Sequence, residues 1–266
     1  MKNKIGLALG SGGPRGLTHI GVIKALIEHG IPIDVITGTS SGSIVGGLYL
    51  SMGTIEQVED IFVKLTLSEM ASILADIGLK SGVIKGENME KFLELHINGS
   101  TIESLRLPFA AVTTDALTGS TVEITSGSLT RAIRASISIP GLVNLVNIDE
   151  QYLMDGGVSQ PVPIRAARRL GATKVIAVNL DFYNFVANDF RQGKPRATTM
   201  GLAAVKSLRY HLAQEQCKEA EIVIEPDVSH VNWMSFPRKS DRIDIIQRGY
   251  EATIAKMDEI KKLITK

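Results

Sequence analysis

Cys217 is the only cysteine in a chain of 266 residues. This excludes an intrachain disulfide framework and any metal site built from several cysteines. Charge of one sign is also lacking: 29 basic residues stand against 28 acidic ones, for a net +1. Nucleic-acid binders carry a basic patch or stripe, and this balance gives no electrostatic case for one. A local basic patch facing anionic lipid head groups stays open. No uncharged apolar run reaches the ~20 residues of a membrane span. Met1, Lys2, Asn3 and Lys4 mimic the basic start of a signal peptide, but a secretory core needs about 7 apolar residues. Only Ile5 to Leu9 follow before the glycines begin. That run reads as a β-strand, and the expectation is a cytoplasmic protein, with the membrane surface as a place of transient contact.

Hydrophobic residues make up 44% and charged residues 21%, enough for a sizeable core and against disorder over most of the chain. The first fifty residues have a βαβα rhythm. The strand at 5–9 ends in glycines, residues 17–29 show helical spacing, residues 35–37 form a second strand, and 43–52 are again helical. Parallel strands joined by a helix argue for an α/β sheet. Residues 54–99 read as mostly helical, with breaks near Gly78, Gly82 and Gly86. Strands are expected at 109–114, 121–125, 152–154, 175–179 and 222–224, and helices at 129–135, 163–170, 200–220 and 241–264. Residues 181–199 read as a mobile loop. With no repeat, low-complexity tract or linker, 1–266 reads as one domain.

The sharpest motif is Gly38-Thr39-Ser40-Ser41-Gly42, a G-x-S-x-G between a strand and a helix. That turn lifts a serine hydroxyl out of the sheet, and its flanking glycines avoid collisions of a Cβ with strand and helix. An attacking serine needs donors for the oxyanion it creates. The loop Ser11-Gly12-Gly13-Pro14-Arg15-Gly16 follows the neighbouring strand and precedes a helix, so its amides point out at the same sheet edge. As a nucleotide cradle the loop fits poorly: the third glycine is Gly16 where the fingerprint wants position 15, and Asp34 precedes the second strand.

The serine also needs a base. A Ser-Asp-His order can be assembled from Ser40, Asp155 and His211 or His230, but none of His19, His29, His96, His211 and His230 sits in a glycine-rich loop at a strand end. Asp155-Gly156-Gly157 does, directly after the short strand Tyr152-Leu153-Met154. A carboxylate within about 3 Å of the hydroxyl can take its proton directly.

The glycine loop, the serine elbow and the later Asp-Gly-Gly, in this order, resemble the patatin-like phospholipases. Thr18-His19-Ile20-Gly21-Val22, Ala135-Ser136-Ile137-Ser138-Ile139-Pro140 and Pro161-Val162-Pro163 resemble the bacterial members. The similarity runs over residues 5–180, with 181–266 completing the same domain. The resemblance implies a three-layer α/β/α sandwich with a mostly parallel central sheet. It also implies hydrolysis of lipid acyl esters by a Ser-Asp dyad, through an acyl-enzyme, with no metal or organic cofactor. Carried over, Ser40 is the nucleophile, Asp155 the base, and the amides around Gly12 and Gly13 the oxyanion hole. Arg15 matches the family's basic residue, holding the loop or the anionic intermediate. Where many eukaryotic members have three glycines, this chain has Ser11-Gly12-Gly13, so Ser11 is a further amide to consider.

The apolar set Phe62, Leu65, Leu67, Met70, Ile73, Leu74 and Ile77 reads either as a cover touching lipid or as an ordinary core-facing helix. Trp233, Met234 and Phe236 form a second cluster, an acyl-pocket wall or simple packing. A non-catalytic lipid sensor on the same scaffold and a histidine-dependent esterase are the competing functions. Oligomeric state is not written in the sequence.

Overall fold

Strands β1 (Ile5–Leu9) and β2 (Val35–Thr39) are buried at every position. Unbroken burial without polar alternation is the pattern of parallel strands covered on both faces. The computed structural model describes residues 3–74, 84–181, 197–231 and 238–265. In it β1 pairs in parallel with β2 and with β7 (Lys174–Val178). Outward from these, β2 pairs in parallel with β3 (Phe109–Asp115), and β7 with β8 (Ile222–Ile224). Three strands run antiparallel at one end: β4 (Thr121–Ile124), β5 (Val146–Ile148) and β6 (Gln151–Asp155). The eight-stranded sheet is therefore mixed, in the order β5-β6-β3-β2-β1-β7-β8, with β4 against β3.

Alternate strand residues sort the core into two layers, as the pleat requires. Leu7, Leu9, Ile36, Phe109, Ile176 and Val178 pack on one side, with apolar residues of α1 (Thr18–Glu28), α2 (Ser41–Met52), α3 (Ile55–Lys64), α5 (Glu87–Ile97), α6 (Leu129–Ser136) and α9 (Lys239–Ala255). Ala8, Val175 and Ala177 face the other side, against α7 (Ile164–Arg169) and the C-terminal end of α8 (Ala197–Cys217). The small residues on this second face let α7 lie close to the sheet. Between α3 and α5 lies α4 (Leu67–Leu74), and α10 (Met257–Thr265) ends the chain. Among the described residues no helix is long and apolar enough to cross a membrane.

Several boundaries differ from the sequence reading. Gly38 and Thr39 still belong to β2 and Gly42 to α2, so the expected five-residue turn shrinks to Ser40. Residues 13–17 form a 3₁₀ turn ahead of α1, which starts at Thr18. The single C-terminal helix is two, broken at Lys256 (φ −99°, ψ 0°) where neither glycine nor proline marks the break. Strand β5 was not expected, since only three half-exposed residues form it. Helix α8 starts three residues earlier than Met200, and Asp181, expected in a mobile loop, is buried. Residues 182–196, and with them most of that loop, lie outside the described residues, as do Gly78, Gly82, Ile77, Trp233, Met234 and Phe236.

Candidate active site

The register of β3 brings two distant strand ends together. Ala111 and Val112 pair with Gly38 and Thr39 of β2 on one edge and with Ile124 and Glu123 of β4 on the other. Thr113 keeps β4 as its partner through Val122, but its other edge now meets Asp155 of β6. So β2 and β6 share one edge of β3 and end against consecutive residues. Ser40, the next residue after β2, must lie beside Asp155.

Its hydroxyl donates to Asp155 Oδ2 at 2.6 Å. Ser40 has φ 54° and ψ −120°, a backbone state that L-residues avoid and that is held by its surroundings. The restraint is visible: the Ser40 amide donates to Ser136 Oγ at 2.9 Å, which donates to the Val112 carbonyl at 2.6 Å. A Cβ at Gly38 would meet the backbone of Gly42 and Ser43, and one at Gly42 the backbone of Leu9. The elbow therefore closes only with glycine at both places.

Asp155 is 6% exposed. Burial pushes its carboxyl above the ordinary range, opposed by hydrogen bonds from the Ser40 hydroxyl and the Gly157 amide and by the charge of Arg209. The Gly157 amide donates to Oδ1 at 2.7 Å, and the Asp155 amide donates to the Ser138 carbonyl at 2.9 Å. A Cβ at Gly156 would run into the Val112 carbonyl.

The glycine loop lies on the same sheet edge. The Ser11 amide is spent on the Pro161 carbonyl at 2.8 Å, so Ser11 is not a free donor. Among the described residues the amides of Gly12 and Gly13 make no hydrogen bond, and Gly13 has φ 56°. Arg15 bonds the Gly12 carbonyl through Nε at 3.3 Å and Asp181 Oδ1 through Nη2 at 3.3 Å. Arg209, on α8, reaches the same Oδ1 at 2.7 Å, and Ser11 Oγ donates to Asp181 Oδ2 at 3.4 Å. Asp181 thus ties the loop to the C-terminal region. Neither Asp181 nor Arg209 carries a motif, and no sequence signal marked them.

The histidines are elsewhere. His19 is fully buried, with Nε2 2.7 Å from the Gly10 carbonyl, and burial lowers its pKa to about 4. The neutral ring holds the glycine loop from behind. His29 bonds the Ala25 carbonyl, His96 stacks edge-on to Phe92, His211 lies against Tyr210, and His230 pairs with Asp244. Among the described residues no group of three His, Cys, Asp or Glu is arranged for a metal.

A cavity of about 160 Å³ opens beside Ser40. Its walls are almost entirely apolar, with Ile44 and Val45 from α2, Phe62 from α3, Leu65 just after it, Met70 and Ile73 from α4, and Phe92 from α5. Four of the apolar set singled out in the sequence therefore line the cavity, Phe62, Leu65 and Met70 among them buried, while Leu67 is exposed. Such a space takes a hydrocarbon chain and leaves the reacting carbonyl at the hydroxyl.

Residues 7–168 match the family model described as patatin-like phospholipase. An uncharacterised NTE family protein of Mycobacterium tuberculosis is 36% identical over 195 residues, covering 73% of this chain and 53% of that protein. Human patatin-like phospholipase domain-containing protein 6 is 36% identical over 184 residues, 67% of this chain and 13% of its own length. A lysophospholipase, NTE1, of Debaryomyces hansenii is 36% identical over 180 residues, 66% of this chain and 12% of its own. The chain thus spans about half the length of the mycobacterial relative and about an eighth of the other two. Two solved structures share the fold. VipD of Legionella pneumophila has a TM-score of 0.54 at 14% identity, over 97% of this chain and 67% of that one. The type III effector ExoU has a TM-score of 0.51 at 10% identity, over 98% and 53%. The chain belongs to the patatin-like phospholipase family.

Proposed function

We propose that the protein hydrolyses acyl esters of lipids, of the phospholipid or lysophospholipid kind, through Ser40 and Asp155. Ser40 Oγ attacks the ester carbonyl carbon while its proton passes to Asp155 Oδ2. The amides of Gly12 and Gly13 receive the oxyanion. Collapse of the intermediate expels the alcohol, which takes the proton from Asp155, and leaves the acyl group on Ser40. Water then attacks the acyl-enzyme, giving its proton to Asp155, and the second collapse returns that proton to Ser40 and frees the acid. No step needs a metal or an organic cofactor. The reading includes transient contact with a membrane surface, where such substrates reside.

The observation that carries this is the 2.6 Å bond between Ser40 and Asp155 at the mouth of an apolar cavity. The relatives' names point to the same substrate class. The test is hydrolysis of a short-chain p-nitrophenyl ester and of a lysophospholipid by wild type, Ser40→Ala and Asp155→Asn. Turnover by wild type alone is expected. Undiminished turnover in both variants would refute the dyad, and inactivity of folded wild type on both substrates would favour a lipid-binding role.

A further inference from the structure

A second cavity, of about 490 Å³, adjoins the one beside Ser40, and Leu65, Ile73 and Phe92 line both. The three arrive there by one helical rule. Phe62, Met70 and Met89 line only the cavity beside Ser40, while Ile61, Glu69 and Asn88 line only the second. Each shared residue follows one of the first group by three positions and one of the second by four. On a helix that places it one turn along the border between two faces. The end of α3, α4 and α5 thus each turn one side to either cavity, with a shared side chain on the edge. Ring contacts agree: the Phe92 centroid lies 6.5 Å from that of Phe62 and 4.9 Å from that of His96, which lines only the second cavity.

Neither Ser40 nor any residue of the glycine loop lines the second cavity, so the shared wall is not the ester end of the first. An acyl chain whose carbonyl sits at Ser40 runs into the apolar space and stops where that space does. At about 160 Å³ the space lies below the roughly 300–1,000 Å³ of a pocket for a whole small ligand, so a long chain overfills it. We propose that Leu65, Ile73 and Phe92 are specificity-determining residues: the wall they form between the two cavities limits the length of acyl chain the enzyme accepts. This rests on the reading of Ser40 as the nucleophile.

The experiment reads kcat/KM on p-nitrophenyl octanoate and dodecanoate for wild type, Ile73→Ala, Phe92→Ala, Leu95→Ala and Ser40→Ala. Wild type should favour octanoate. A methylene that gains a buried place is worth about fourfold in binding, so both wall variants should raise the dodecanoate-to-octanoate ratio about tenfold or more. The ratio, unlike the absolute rate, is not moved by a loss of folded enzyme. Leu95 lines only the second cavity and is 77% exposed, so Leu95→Ala should keep the wild-type ratio. An unchanged ratio in both wall variants, with Ser40→Ala inactive, would overturn the wall and leave the dyad standing. A wild type that prefers dodecanoate would overturn it too, as would a Leu95→Ala ratio raised as far as that of the wall variants. Turnover by Ser40→Ala would remove the nucleophile from which the chain is measured.

Discussion

Ser40 Oγ and Asp155 Oδ2 lie 2.6 Å apart although 115 residues separate them in the chain. The contact is a product of sheet register: β2 and β6 end against Val112 and Thr113, adjacent residues of one strand. Neither side chain has to reach, because β2 and β6 approach from opposite directions and both end there.

That geometry buries a carboxylate and predicts a conflict between stability and activity at Asp155. Burial raises its pKa above 3.8, so the folded protein holds the proton more tightly than the unfolded chain. The stability this contributes is complete below pH 3.8 and is lost as pH rises through the raised value. At pH 7 the ionised carboxylate is a net cost. Asp155→Asn should therefore melt at or above wild type at pH 7, while kcat/KM drops roughly 10²- to 10⁴-fold. A variant that melts below wild type would contradict the assignment. In wild type the acid limb of kcat/KM should lie above pH 3.8.

The glycines around the dyad should separate fold from function. At Gly157 a Cβ would sit 3.0 Å from Asp155 Oδ1 and 3.1 Å from Ser11 Oγ, so the carboxylate must yield by a few tenths of an ångström. Gly157→Ala should stay folded and lose about tenfold or more in kcat, since misplacement of about 1 Å costs some hundredfold. At Gly42 the obstacle is the backbone of Leu9, which cannot yield without moving β1 or α2. Gly42→Ala should lose about 3 kcal/mol or more of stability. Chemical denaturation beside steady-state kinetics checks both, and equal losses of stability would refute the distinction.

The same contrast explains what was legible in the sequence. The G-x-S-x-G and Asp-Gly-Gly motifs are local solutions to crowding, and crowding of backbone demands glycine, which can be read directly. Sheet order is legible where strands alternate with helices, as in β1, α1 and β2. It is not legible for β5, whose alternation spans only three residues and buries little, nor for the break at Lys256, where no breaker residue stands and Met257 and Ile260 of α10 are buried in the core. Asp181 and Arg209 were missed because an ion pair made across 28 residues leaves no spacing to recognise. The sequence argues against His19 as a catalyst, since it lies on a helix and not in a glycine-rich loop at a strand end, and its Nε2 on the Gly10 carbonyl gives it a structural role instead.

The Asp181 cluster should set where the acid limb falls. Arg209 draws the pKa of Asp155 down and Asp181 pushes it up. Arg209→Met should move the acid limb of kcat/KM to higher pH, and Asp181→Asn should move it to lower pH. Asp181→Asn also leaves Arg15 and Arg209 without their shared carboxylate, at roughly 2 kcal/mol for side chains that keep some solvent contact. Shifts of the same sign in both variants would mean that the cluster acts only by holding the loop.

His19 makes the last prediction, and it separates a structural histidine from a catalytic one. Its Nε2–H reaches the Gly10 carbonyl while Nδ1 has no partner, so a second proton would place a buried N–H against nothing. Burial lowers its pKa from 6.5 to about 4, against the bond to the Gly10 carbonyl, which raises it. The unfolded chain takes up this proton below pH 6.5 and the folded protein does not, so the stability it contributes is complete above pH 6.5 and is lost as pH falls towards 4. The loss amounts to something on the order of 3 kcal/mol. Urea denaturation between pH 7 and 4.5 should show that slope in wild type and not in His19→Gln, whose amide can still donate to the Gly10 carbonyl. At pH 7 the variant should keep kcat/KM within about tenfold, because the histidine holds the glycine loop without touching Ser40. Identical slopes would remove the linkage, and a collapse of turnover in a folded His19→Gln would restore a histidine to the mechanism.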